Sequence, residues 1–254
     1  MNVVHITDQG KVRTHNEDSV GVFVNQRNHL LAVVADGMGG HLAGDKASQM
    51  TVEQFKERWN NQTNITTPEE AENWLKQQIS DINLTIHQHA NAHSECQGMG
   101  TTFVGALFAN QFVTVGHIGD SRCYLLNKDG FSQITEDHSL VNELVKSGQI
   151  SQEDADHHPK KNILIRALGT NEQVDIDLKT VCLEEEDLLL LCSDGLSNKI
   201  TTEEMEKVLI SSWSLQEKAD HLVTLANDQG GEDNITVVLY KHEINMTQKS
   251  EELC

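Results

Sequence analysis

The strand-like segments of this chain come in groups, and that grouping limits what it can fold into. "VVHIT" (3–7), "SVGVFVN" (19–25) and "LLAVVAD" (30–36) all precede the first helical pattern. Each is too short for a helix and rich in β-branched residues. Helical spacing then predicts one helix over 42–59 and a second after "TPEE" (67–70). There Thr67 can cap, Pro68 suits the first helical position and Glu70 completes a capping box. Leu75, Ile79, Ile82 and Ile86 form this second helix's apolar stripe. Strands resume with "TTFVGALFA" (101–109), "FVTVGHIG" (112–119) and "RCYLL" (122–126). The polar stretch 139–159 reads as two short helices around Gly148. Strands return at 174–183 and 187–193, helices at 202–211 and 215–228, and a last strand, "NITVVLY", at 234–240. The strand–helix alternation of a doubly wound parallel sheet is absent. The expected class is α+β: two packed, mainly antiparallel sheets, each covered by a helix pair, in one domain over 1–242. An acidic tail, 243–254, is expected to fray.

Several apolar strands stop at an aspartate. Asp36 follows "LLAVVA", Asp120 follows "VTVGHIG", Asp194 follows "LLLLCS", and Asp233 precedes the last strand. Asp-Gly is a turn dipeptide, so either "DG" alone reads as the end of a strand. Together the aspartates say more. Carboxylates clustered on rigid mounts repel one another unless a cation lies between them. Hard oxygen ligands completed by water suit magnesium or manganese. Two such ions about 3.5–4 Å apart can activate a shared water toward an electrophile. Asp36 or Asp194 could serve more than one ion, and Gly37 would let a backbone carbonyl come close as a further ligand. Near the start, "RTHNED" (13–18) offers Arg13, whose planar fork suits a phosphate. Glu17 and Asp18 beside it could orient water.

The charge narrows the partners. With 19 Lys+Arg against 39 Asp+Glu, the formal net charge of −20 argues against nucleic acid or an anionic membrane as the main partner. No apolar run approaches the ~20 residues of a membrane span, and the start lacks the features of a signal peptide. Five cysteines (Cys96, Cys123, Cys182, Cys192, Cys254) with no CxxC pair fit a reducing cytoplasm. Cys123, Cys182 and Cys192 read as small hydrophobes inside strands.

The motifs "TDQGKVRTHNEDS", "VVADGMGGHLAG", "GMGTT", "HIGDSRCYLL", "LLLLCSDGLSN" and "GGEDNITVV" together resemble the metal-dependent type 2C serine/threonine protein phosphatases. They stand in family order and span nearly the whole chain. "DGMGGH" is similar to the compact bacterial branch that opposes transmembrane serine/threonine kinases of Gram-positive bacteria. The resemblance implies a four-layer sandwich of two sheets flanked by helix pairs. It implies that Asp36 bridges two manganese or magnesium ions, with the Gly37 carbonyl on the second. Asp194 and Asp233 would complete the first site, and Asp120 with Asp194 would hold a third, weaker ion. Arg13 would bind the substrate phosphate, while Glu17 and Asp18 would orient metal-bound water. Residues 139–168 match a flap beside the active site. A metal-bridging hydroxide would then hydrolyse phosphoserine or phosphothreonine in one step. Phosphoproteins, a cognate serine/threonine kinase among them, are the implied partners of a cytoplasmic monomer. Animal members carry a histidine directly after the Asp-Gly as candidate acid. Met38 stands there in this chain, which leaves His41, or a metal-bound water, as the acid.

Other readings fit less well. A cysteine-dependent phosphatase needs arginine six positions after its nucleophile, and Thr102, Asp129, Leu188 and Asn198 stand there, with nothing after Cys254. "DIDLK" (175–179) has lysine where an aspartate-nucleophile phosphatase needs threonine or valine. A dinucleotide loop would put its third glycine at Leu42. "HQHANAH" (87–93) lacks the glutamate of a zinc hydrolase, and "HHPKKN" (157–162) reads as a solvated loop. A non-catalytic phosphoprotein-binding relative would be expected to have lost the aspartates.

Overall fold

The computed structural model describes residues 2–40, 43–62, 65–156 and 158–243. Its strands form two sheets in which every pairing is antiparallel. In chain order the first sheet's members are β1 (Val3–Asp8), β7 (Arg122–Asn127), β8 (Gly130–Gln133), β10 (Leu188–Cys192) and β11 (Ile235–Lys241). They are arranged β1-β11-β10-β7-β8. The second sheet uses β2 (Asp18–Val24), β3 (Leu30–Met38), β4 (Gly100–Thr101), β5 (Phe103–Ala109), β6 (Phe112–Ile118) and β9 (Asp177–Cys182). Its order is β2-β3-β5-β6-β9, with β4 on the end of β3.

The period-2 alternation of each strand sorts its side chains between two cores. Ala32 and Val34 of β3 and Val104 and Ala106 of β5 pack between the sheets against Leu189, Leu191 and Val238. Leu31, Val33, Phe103 and Leu107 point the other way, onto α1 (Ala43–Asn60) and α2 (Pro68–Ala92). Phe55 and Trp59 of α1 meet Leu75, Ile79, Ile82 and Ile86 of α2 there, all fully buried. On the far side, Leu190, Cys192, Val237 and Leu239 pack on α6 (Thr202–Leu209) and α7 (Leu215–Asp228). Three apolar interfaces thus separate four layers, helix–sheet–sheet–helix, as expected.

The expected cap of α2 is present. Thr67 and Glu70 close a reciprocal box at the start of α2, and Thr201/Glu204 and Ser214/Glu217 do the same for α6 and α7. The 139–168 segment holds α3 (Leu140–Lys146) and α4 (Gln152–Asp156) on either side of Gly148. Several expectations need correction. Asp36 does not end its strand: β3 continues through Gly37 and Met38, which pair with Thr101 and Gly100 of β4. Asp194 opens a single helical turn, α5 (Asp194–Ser197), and does not lead into a loop. The strand expected from 174 begins only at Asp177, although Val174 and Ile176 still pack on the helix-side core. Cys182 is exposed at the end of β9 and not buried like Cys123 and Cys192.

Candidate metal centre

Antiparallel register puts Asp18 on β2 directly opposite Asp36 on β3. Opposed residues share a face, and for Asp36 that face is the one carrying Ala32 and Val34, toward the other sheet. The inter-sheet core therefore ends in acids. Across the gap, the Ser193 hydroxyl donates to Asp18 Oδ2 at 2.7 Å and the Thr236 hydroxyl to the same oxygen at 2.6 Å. Asp18 is thereby fixed to the residue just past β10 and to β11 of the opposite sheet, and its Oδ1 is buried without a partner.

The other aspartates converge on this pair. Asp194 is placed by α5, where Asn198 Nδ2 donates to its Oδ2 at 3.0 Å, while its Oδ1 is buried and unpartnered. α5 lies tight against the Asp233 loop, since a Cβ on Gly195 would fall 2.0 Å from the Asn234 carbonyl oxygen. Asp36 is held through its backbone. Its N–H donates to Thr102 Oγ1, and its carbonyl accepts from Thr101 Oγ1 and the Thr102 N–H. Gly37 is packed between two backbones, and a Cβ there would meet the carbonyls of Gly44 and Glu17. Its glycine is required by that approach, whatever its own carbonyl binds.

The carboxylates raise one another's proton affinity. Burial pushes Asp36 well above the usual carboxylate range, and Asp18, Asp194, Asp120 and Asp233 push it further. Burial, then Asp194 and Asp137, act likewise on Asp120. Burial raises Asp18 to about 7, against the pull of its Thr236 and Ser193 hydrogen bonds. Asp194 is raised by burial and Asp233, offset in part by Arg122 and Arg13. The two guanidinium groups that oppose this charge are engaged. Arg122 forms a fork with both oxygens of Asp137. Arg13 donates to Asp233 Oδ2 at 2.7 Å and lies 3.8 Å from Glu17.

This donor set fits hard divalent cations. It offers buried carboxylate oxygens with no partner, and protonation is the alternative way to relieve the repulsion. Among the described residues no three acidic, histidine or cysteine side chains are gathered closely enough to hold an ion by themselves; hard divalent cations commonly complete such a set with water. Beside Asp120 and Asp194 a cavity of 530 Å³ opens between the 139–162 segment and α5–α6, with Arg122, Lys161 and Lys199 on its walls.

Arg13, Glu17, Asp18, Asp36, Gly37, Asp120, Asp194 and Asp233 thus fall in one region. His41 lies outside the described residues. Of the histidines at 87–93, His89 and His93 stack with centroids 4.1 Å apart, His93 Nδ1 contacts the His89 carbonyl, and His87 Nδ1 turns to the Gly169 carbonyl. Sequence reasoning missed Asn234, Ser193 and Thr236. Asn234 accepts from the Glu17 N–H and donates to the carbonyls of Gln9 and His15, which shapes the loop carrying Arg13. It also missed Asp45, which raises the Glu17 pKa after burial has done so and has one buried, unpartnered oxygen. Ser193, Asn234 and Thr236 lie inside the aspartate motifs, but the residues they hold are far away in sequence, so nothing local tells what they bind.

Residues 8–229 match the family model for protein phosphatase 2C. The chain is 50% identical to the serine/threonine phosphatase stp of Listeria welshimeri over 243 residues, covering 96% of each. The crystal structure of Staphylococcus aureus serine/threonine phosphatase Stp1 superposes with a TM-score of 0.91 at 40% identity, covering 95% of each chain. The catalytic domain of the serine/threonine phosphatase PstP, solved with two manganese ions, gives a TM-score of 0.83 at 33% identity over 95% of this chain and 98% of that one.

Proposed function

The chain belongs to the protein phosphatase 2C family and is a serine/threonine protein phosphatase, and from that premise we propose how its residues carry the reaction. The observation that carries the proposal is the convergence of Asp18, Asp36, Asp120, Asp194 and Asp233 on one buried patch with unpartnered oxygens. Asp36 and the Gly37 carbonyl, with Asp194 and Asp233, would hold two manganese or magnesium ions. Asp120 with Asp194 holds a third. The two manganese ions in the PstP neighbour support this count for the core site. When bound, the ions supply an activated water and offset phosphoryl charge.

The chain's own groups do the rest. Arg13 is half exposed and uses one Nη on Asp233, which leaves donors to hold a substrate phosphate. Asp18 keeps one oxygen free while Ser193 and Thr236 fix the other, so it can accept from a water and aim it. Glu17, raised in pKa by burial and by Asp45, orients water on the side of Gly37. His41 is the candidate acid for the leaving serine or threonine oxygen. The substrates are phosphoproteins, a cognate serine/threonine kinase among them, met by a cytoplasmic monomer.

Hydrolysis of p-nitrophenyl phosphate and of a phosphothreonine peptide tests this directly. Both are expected to need manganese or magnesium, to stop in excess EDTA and to fall at least about 100-fold in Asp36→Asn. Full turnover in EDTA would overturn the scheme.

A further inference from the structure

The turn that carries Asp120 is held by a residue the reaction does not otherwise use. His138 grips it twice: the His138 N–H donates to the Gly119 carbonyl at 2.7 Å, and the Gly119 N–H donates to His138 Nδ1 at 3.1 Å. The ring is buried, 3% exposed, and lies 4.7 Å from that of His117 on β6. Burial lowers the pKa of both imidazoles, that of His117 to about 3, and the Gly119 N–H bond needs an unprotonated Nδ1 on His138. A neutral imidazole has one donor and one acceptor. Since Nδ1 accepts from Gly119, Nε2 carries the proton and donates to Asp177 Oδ2 on β9 at 3.1 Å, while Arg166 Nη1 lies 3.3 Å from the same nitrogen. Arg166 Nη1 donates to the other oxygen of that carboxylate at 3.1 Å.

The same residue joins both ends of the 139–168 segment. The Ile165 N–H donates to the His138 carbonyl at 2.9 Å, and Leu140 N–H to the Ile163 carbonyl at 2.8 Å. On the other side of Asp120, Ser121 Oγ lies 2.7 Å from Thr102 Oγ1, which accepts from the Asp36 N–H. The Asp120 turn is therefore tied to the core site through Ser121 and to the flap through His138.

We propose that His138 is a positioning residue that couples the placement of Asp120 to the docking of the 139–168 flap. The coupling runs through one tautomer, with Nδ1 gripping the turn and Nε2 gripping the Asp177–Arg166 pair on which the flap's far end rests. It rests on the reading of Asp120 as an ion ligand.

Two substitutions separate the two grips. Asn places an acceptor near the Nδ1 position, and Gln places a donor near the Nε2 position. In ion-free protein, amide exchange of Gly119 followed by NMR is expected to stay slow in wild type and His138→Asn. It is expected to speed up at least about tenfold in His138→Gln, where the bond is lost. The imidazole 15N shifts are expected to report protonation at Nε2. In manganese-loaded protein, His138→Gln is expected to lower kcat on a phosphothreonine peptide about tenfold, the scale for groups that orient ligands. Adding Asp120→Asn to it is expected to cost less than Asp120→Asn costs in wild type. If His138→Gln does not fold, Asp177→Asn loosens the ring from its other side and is expected to speed Gly119 exchange severalfold. Equal Gly119 exchange in the Asn and Gln variants, or additive losses with Asp120→Asn, would overturn the proposal. Wild-type turnover in EDTA would instead overturn the metal reading while leaving the exchange result intact.

Discussion

Asp18 lies between the sheets with one oxygen bound to two hydroxyls and the other bound to nothing. That arrangement sets an unusual pH dependence. Its native pKa of about 7 stands above the ~3.9 of an unfolded aspartate. The native state therefore holds a proton that the unfolded chain releases from about pH 4 upward. The stability this contributes is complete below pH ~4 and is lost as pH rises through about 7, at up to about 1.4 kcal/mol per unit. Ion-free protein is expected to melt higher at about pH 5.5 than at about pH 7.5, the reverse of ordinary acid denaturation. Saturating manganese needs the deprotonated oxygens, so the trend should invert with metal. Asp18→Asn is expected to flatten the ion-free dependence, and melting curves in EDTA at several pH values check it. An unchanged slope would show that other carboxylates set it.

At the level of elements, α5 is small but exacting. Gly195→Ala would drive a methyl into the Asn234 carbonyl, 2.0 Å away. The expected cost is about 1–3 kcal/mol, with manganese affinity falling because Asp194 rides on that turn; calorimetric titration measures it. Thr67→Ala removes the cap of α2 far from the acids. Its expected cost is about 1 kcal/mol in urea unfolding with kcat unchanged. The difference between these two elements also explains what was legible in the sequence. α2 was readable because its cap, its first-turn proline and its apolar stripe are all local. The apolar strands were readable because their runs are too short for a helix and rich in β-branched residues. β8 was not, because "GFSQ" is a short edge strand with little to bury. α5 was not, because a single turn has no period. Asp36 was placed at a strand end because Asp-Gly signals a turn, but pairing with β4 outweighs that local preference. The aspartates themselves stood out. The hydroxyls that hold Asp18 did not, being 175 and 218 residues away.

For the whole molecule, the net charge of −20 works against a dianionic substrate everywhere except where ions reverse the field. Peptides with basic residues flanking the phosphothreonine are therefore expected to show a higher kcat/KM at low salt, falling as the ionic strength shortens the Debye length from ~30 Å to ~8 Å. Acidic flanks should show the opposite slope, and equal slopes would assign the charge to solubility alone. The order of the first sheet has a different consequence, one of timing. β1, near the start of the chain, pairs along its whole length with β11, near the end, and Thr236 of β11 supplies a bond that fixes Asp18. Because β11 follows both helix pairs in chain order, a ribosome makes those helices before it makes the strand that fastens Asp18. The helix layers can therefore take shape on the nascent chain before Asp18 gains its Thr236 bond.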